Sequence, residues 1–176
     1  MNRNEVIQEL KLNHQAFADW INGLNDVQYT GSYNGKWSPG QHMEHIYKAV
    51  RPVTLAFGLP SLLLRVVFGE ANRPGRTYDG LVNRYQDKLA KGGKAGRMFI
   101  PHPADPARKT QLNTAYFKAI DKLCNRASGY SEEQLDYYIL PHPLLGKLTL
   151  REMLYFTNYH VQHHHKNALH QLASVS

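Results

Sequence analysis

The chain is poor in cysteine, in uninterrupted apolar runs and in the sequence signatures of the common catalytic folds. Of its 176 residues one is cysteine, Cys124. That excludes a disulfide framework and a cysteine-based zinc site. Cys124 follows Leu123 on an apolar helical stripe, so a small buried thiol is expected rather than a nucleophile. No apolar run reaches the roughly 18 residues of a membrane span, so no transmembrane helix is expected. The opening MNRNEVIQELKLNHQ has no hydrophobic core of a signal peptide, and a soluble, cytoplasmic protein is the expectation. There is no internal repeat, no low-complexity segment and no glycine-rich phosphate loop. Ser38 and Ser131 both read as helix caps, which leaves no serine for a Ser-His-Asp arrangement. Acidic residues are scarce in the middle: residues 65–97 carry eight Lys and Arg against three Asp and Glu, within a formal net charge of +7. Such a stretch attracts anions, but it lacks the interleaved aromatics of a nucleic-acid surface, and nucleic-acid binding is the weakest of three functional readings.

What the chain has instead is histidine, ten residues in all, concentrated where helices are expected. The segment TLREMLYFTNYHVQHHHKNALHQL, residues 149–172, opens with Thr149 followed three residues later by Glu152, a capping box in which each side chain satisfies a free N–H of the first turn. Leu150, Met153, Leu154, Thr157, Val161, Ala168 and Leu172 share one arc of that helix at 100° per residue. His160 and His164 fall on the same arc, four residues apart, so both rings stand on one face. Imidazoles placed where a core takes Leu or Ile need partners. One metal ion can serve both, and an ordinary buried pair with protein partners is the equal alternative. His163 and His165 flank the pair off the arc and are expected to be exposed or to support it without ligating.

A second helix is announced by Trp37-Ser38-Pro39-Gly40-Gln41. Ser38 is the N-cap, Pro39 the first helical residue and Gln41 the far side of the box. Trp37 is placed to staple against His42, the fourth helical residue. His42, His45, Ile46, Ala49 and Val53 form its stripe. His45 lies one turn deeper than His42 and is the better ligand, with His42 as staple or support. Pro52 is expected to kink or end this helix. Two further helices complete the set. Residues 4–24 carry Val6, Leu10, Phe17, Ile21 and Leu24 at helical spacing, with His14 packed on the stripe. Residues 106–127 start at Asp105-Pro106 and carry Leu112, Tyr116, Ala119, Leu123 and Ala127, with Gly129 as the C-cap.

The expected architecture is therefore all-α: one domain, 1–176, with main helices at 4–24, 38–56, 106–127 and 149–172. Short helices are expected at 78–91 and after Ser131, and a long irregular loop at 92–105. The apolar stretch 53–68 is broken by Gly58, Pro60 and Arg65. It reads as a bent segment buried on the bundle, as a dimer face or as the wall of a pocket. Glu44 adjoins His45 but points to another face, and His102 and His142, each between prolines, read as loop residues within reach of a pocket mouth.

Trp37-Ser38, then His45, then His160-x-x-x-His164 in the last helix resembles the DinB/YfiT-like bundle superfamily. The lead-in PHPLLGKLTLREMLYF resembles its DinB_2-type branch. The likeness runs over essentially the whole chain. It implies a four-helix bundle with a divalent metal held by one residue of the second helix and two of the last, here His45, His160 and His164. A mycothiol-dependent branch typically has Glu where this chain has His160, so the three-His members are the nearer likeness. Three imidazoles leave a tetrahedral ion one open position. They suit zinc or nickel, and iron or copper as well. The resemblance implies small-molecule chemistry: transfer to a low-molecular-weight thiol, or hydrolysis, in stress response or detoxification. A non-catalytic metal- or ligand-binding bundle is the alternative. It also permits a homodimer, for which Val53–Phe68 is the expected contact.

Overall fold

The computed structural model describes residues 1–32 and 35–173 and contains eight α-helices and one two-stranded hairpin among them. The four long helices are α1 (Arg3–Gly23), α3 (Pro39–Ala56), α6 (Lys109–Ala127) and α8 (Leu150–Ala173). Shorter helices are α2 (Asp26–Thr30), α4 (Ser61–Phe68), α5 (Tyr78–Ala90) and α7 (Glu132–Tyr137). The hairpin is β1 (Ile139–His142) paired antiparallel with β2 (Gly146–Thr149). Among the described residues no single helix is long and apolar enough to cross a membrane.

The helix starts are set by side-chain caps. Ser38 with Gln41 and Ser131 with Gln134 form reciprocal capping boxes, as does Asn2 with Glu5 on α1. Thr149 Oγ1 accepts from the Glu152 N–H, and Glu152 in turn accepts from the Thr149 N–H. The apolar stripes then decide the packing. α8 lies against α1 and α3, and α6 closes the other side against the same two helices. The core is built from Val6, Leu10, Phe17, Met43, Ile46, Leu123, Leu154 and Val161 among others. Helices α1 and α3, successive among the long helices, thus sit largely across the bundle from each other. Residues 24–38, which include α2, span that diagonal, whereas α3 and α6 pack side by side although 52 residues, 57–108, separate them.

Three local expectations change, while α3 runs past Pro52 to Ala56, the bound expected for it. The first turn at Asp105-Pro106 is a 3-10 turn, Pro106–Arg108, with the Asp105 carboxylate accepting from the Ala107 N–H, and α6 proper begins at Lys109. Gly129 is not a left-handed cap: the positive-φ glycines are Gly35, Gly69, Gly92 and Gly146. The segment leading to Thr149 is a hairpin, in which Pro141 is tolerated because each strand of a two-stranded sheet is an edge. Gly146, at φ +77°, supplies the backbone turn that an L side chain resists.

The apolar segment 53–68 divides. α4 bends by 110° from α3. Val53, Ala56 and Phe68 face an internal cavity, and Leu64 alone of α4 is fully buried. Leu62 and Val66 are more than 70 % exposed, at 72 % and 74 %, and Leu63 and Val67 join them on the outer face.

Candidate metal centre

Three histidines meet where α3 faces α8. His45 comes from the middle of α3, and His160 and His164 from successive turns of α8. All three are buried, and one ring nitrogen from each lies within 4.8 Å of the other two. His45 Nε2 stands 3.2 Å from His160 Nε2, and His160 Nε2 stands 3.0 Å from His164 Nε2. A tetrahedral zinc with bonds of about 2.0–2.1 Å holds its ligand nitrogens roughly 3.3 Å apart. The spacing therefore fits one ion with little movement.

The protons on these rings are set from outside the group. His45 Nδ1 lies 2.7 Å from the Phe99 carbonyl oxygen. A carbonyl only accepts, so Nδ1 carries the proton and Nε2 turns a lone pair inward. His164 Nδ1 meets His42 Nδ1 at 2.8 Å. When His164 donates through Nδ1, its Nε2 is also free as a lone pair. This is the arrangement of metal-binding histidines, whose second nitrogen is held by an outer partner. Here that partner is a carbonyl for one ring and another imidazole for the other. His160 Nε2 stands about 3 Å from both of these inward nitrogens, so a cation placed among the three would meet a nitrogen from each ring.

Burial favours the neutral rings that ligation needs. Desolvation pushes His160 and His164 well below the usual histidine value, and neighbouring imidazoles push the same way. Burial also lowers His45, against the raising effect of its bond to Phe99. His42 is pushed down to about 4, first by burial and then by His45.

The remaining histidines sort by contact. His42 packs edge-on against Trp37, with ring centres 5.8 Å apart, as the staple requires, while also meeting His164. His163 lines the cavity, half-buried, and its Nε2 accepts from the Asn167 side-chain amide. His165 packs on Phe17 and Trp20. Neither joins the three-His group. His14 is fully buried against the Tyr116 hydroxyl, away from the centre. His102 is exposed and bonds Glu44, which also pairs with Lys48, so Glu44 does point away from the centre. Cys124 is buried, and burial raises its thiol to about 11, which makes it inert.

A cavity of about 580 Å³ opens onto the three clustered rings. Its walls come from α3, α5, α8, the loop 94–99 and the hairpin. Carboxylates are absent from the residues lining it, and Lys94 is the one charged side chain. His142, one of the two loop histidines expected within reach of a pocket mouth, also lines it, whereas the exposed His102 does not. His142 Nδ1 accepts from the N–H groups of Leu144 and Leu145, each at 3.1 Å, closing the turn.

The floor of this cavity coincides with the pattern on which the family likeness rests. The DinB superfamily model matches residues 9–168, a span that includes all three histidines. The chain belongs to the DinB superfamily. Among solved structures, TT2238, a four-helix bundle protein, aligns over 96 % of this chain and 98 % of its own length, with a TM-score of 0.59 at 14 % identity. That likeness establishes the four-helix-bundle fold. The curated proteins offer no match. For a DinB-superfamily chain, a buried three-His group that can hold a metal ion is in keeping with the family's metal-binding bundles.

Proposed function

We propose that this chain is a divalent-metal-dependent enzyme acting on small molecules, with His45, His160 and His164 as the ligands and zinc or nickel as the ion. The observation that carries the reading is the convergence of three Nε2 atoms on the floor of a cavity large enough for a small molecule. A group of three ligands leaves one position open for water or substrate, whereas a purely structural site is closed by four. The ion would act as a Lewis acid or lower the pKa of a bound thiol or water. The residues hold it, keep their lone pairs inward through Phe99 and His42, and exclude water with apolar walls.

Transfer to a low-molecular-weight thiol and hydrolysis both fit this site. No carboxylate lines the cavity to serve as general base, so the ion itself would lower the pKa of the nucleophile, thiol or water. Untagged protein loaded with zinc or nickel tests this with a thiol plus an aryl halide or epoxide, and with an aryl ester. Metal-dependent thiol transfer that disappears in His45→Ala supports the reading. Stoichiometric metal with no metal-dependent turnover of either kind points to the non-catalytic binding bundle.

We also propose a two-fold homodimer through the outer face of α4. Leu62, Leu63, Val66 and Val67 leave an apolar patch there of the kind that marks interfaces. Sedimentation at high micromolar concentration should give a dimer for wild type and a monomer for the Leu63→Asp, Val67→Asp double variant. A monomeric wild type removes the dimer.

A further inference from the structure

The cavity wall carries a second polar group besides the three-His floor. His142 stands at the end of β1, and both backbone N–H groups of the turn, Leu144 and Leu145, point at its Nδ1. Two donors on one nitrogen require that nitrogen to be unprotonated. The neutral ring then carries its proton on Nε2. Burial keeps the ring neutral, lowering it to about 4. Among the described residues no acceptor bonds Nε2, and the ring lines the cavity. His142 is therefore a neutral N–H donor whose tautomer is set by the turn. It packs edge-on against Phe156 with ring centres 4.2 Å apart, and Phe156 in turn stacks on His160 at 4.8 Å. One phenyl ring thus separates the donor from a ligating imidazole.

His163 and Tyr85 also line the cavity, and much of the rest of the wall is hydrocarbon, including Ala49, Pro52, Val53, Phe68, Leu89 and Met153. No carboxylate is present to receive an amine, and Lys94, exposed, adds positive charge. The His142 N–H and the Lys94 ammonium suit an acceptor or an anion, and the hydrocarbon wall suits an apolar body.

We propose that the cavity binds apolar acyl compounds, with the carboxylate or carbonyl oxygen of the head placed between the metal position and His142 Nε2–H and the hydrocarbon body against the α3, α4 and α5 side of the wall. This rests on the metal reading above and adds to it the ligand class and the donor that selects it. His142 contacts the ligand head and is a specificity residue, distinct from the metal ligands.

The test uses octanoate, butyrate and octylamine as probes. Trp37 lines the cavity and reports binding by its fluorescence in a Trp20→Phe background. Metal content is measured on the same preparations, and titrations are made on loaded and stripped protein. Octanoate should bind about 100-fold tighter than butyrate, from four more buried methylenes. Octylamine should bind at least about 10-fold weaker than octanoate, since a charged head then loses its donor and meets positive charge instead. His142→Asn keeps the turn, because an Asn side-chain oxygen can accept from the N–H two residues on, but removes the Nε2–H. It should weaken octanoate about 10-fold and leave metal content and the melting temperature unchanged. With stoichiometric metal, equal binding of octanoate and octylamine, or an unchanged octanoate affinity in His142→Asn, overturns the ligand proposal and leaves the metal centre standing. With no metal retained, the metal reading fails. The octanoate preference and its His142 dependence must then still appear in the stripped protein, and their absence overturns the ligand proposal as well.

Discussion

Helix α8 buries polar side chains on two sides, and the two sides differ in who satisfies them. Toward α1 and the loop 73–76, protein atoms meet the buried groups, except for His14 Nε2, which has no hydrogen-bond partner among the described residues. Asn158 bonds Asn13 and Glu9 on α1. Glu152, with no exposed surface, accepts from both Arg73 guanidinium nitrogens, from Arg76 and from the N–H of Thr149. His14, across on α1, meets the Tyr116 hydroxyl. Toward α3, His160 and His164 face a third imidazole, and behind it a cavity. Buried polarity alone therefore marks nothing functional. The mark is a buried set of imidazoles whose inner nitrogens face one another, two of them with the outer nitrogen met by another protein group.

The largest expected break in that comparison comes from deleting one ring on each side. His45→Ala, His160→Ala or His164→Ala should each lower metal affinity by at least about 100-fold, more than the loss of an outer partner costs. His14→Ala, His163→Ala and His165→Ala should keep the ion. Mass spectrometry of the native protein reads this directly.

On the other side of α8, Glu152→Ala should destabilise the fold by about 3 kcal/mol, because it strands Arg73 and Arg76 and removes a helix cap. Metal affinity should hold. Urea melts and metal titration of the same variant separate the two effects.

Acid should act on both sides for different reasons. Burial holds His14 at about 3 in the folded chain, against about 6.5 when unfolded. Its contribution is complete above pH 6.5 and shrinks as pH falls toward 3, because the unfolded chain takes up a proton that the folded chain refuses. From this group alone the metal-free protein should lose about 2 kcal/mol between pH 7 and pH 5. Metal occupancy should also fall below about pH 6.5, since ligating imidazoles must be neutral, with the loss delayed when the ion is tightly held. Urea melts and metal content across that range check the two. Occupancy flat to about pH 4 would speak for carboxylate ligands.

The smallest expected effect is that of the outer partner. His42→Ala removes the acceptor behind His164 and should weaken metal binding about 10-fold without abolishing it. Competition with a chelator of known affinity measures it.

The four long helices were legible because their signals are local. Capping boxes at Ser38, Ser131 and Thr149 each lie within four residues, and the apolar stripes repeat every turn. The three clustered histidines follow from the same periodicity, His160 and His164 by their spacing and His45 by its depth on α3. What surrounds them was less legible because it depends on contacts distant in sequence. Nothing near His45 names Phe99 as its partner, 54 residues away. The Arg73 and Arg76 partners of Glu152 are as remote. The hairpin was hidden by Pro141 and Pro143, which read as loop, and with it the turn N–H groups that hold His142, although its reach to the pocket mouth was legible.

The most direct test of the metal centre is elemental analysis of the wild-type chain purified without an affinity tag or a metal column, because its own histidines can take up nickel from a resin. The account predicts about one divalent ion per chain in wild type and less than a tenth of that in His45→Ala. A stoichiometric ion retained by His45→Ala would contradict it.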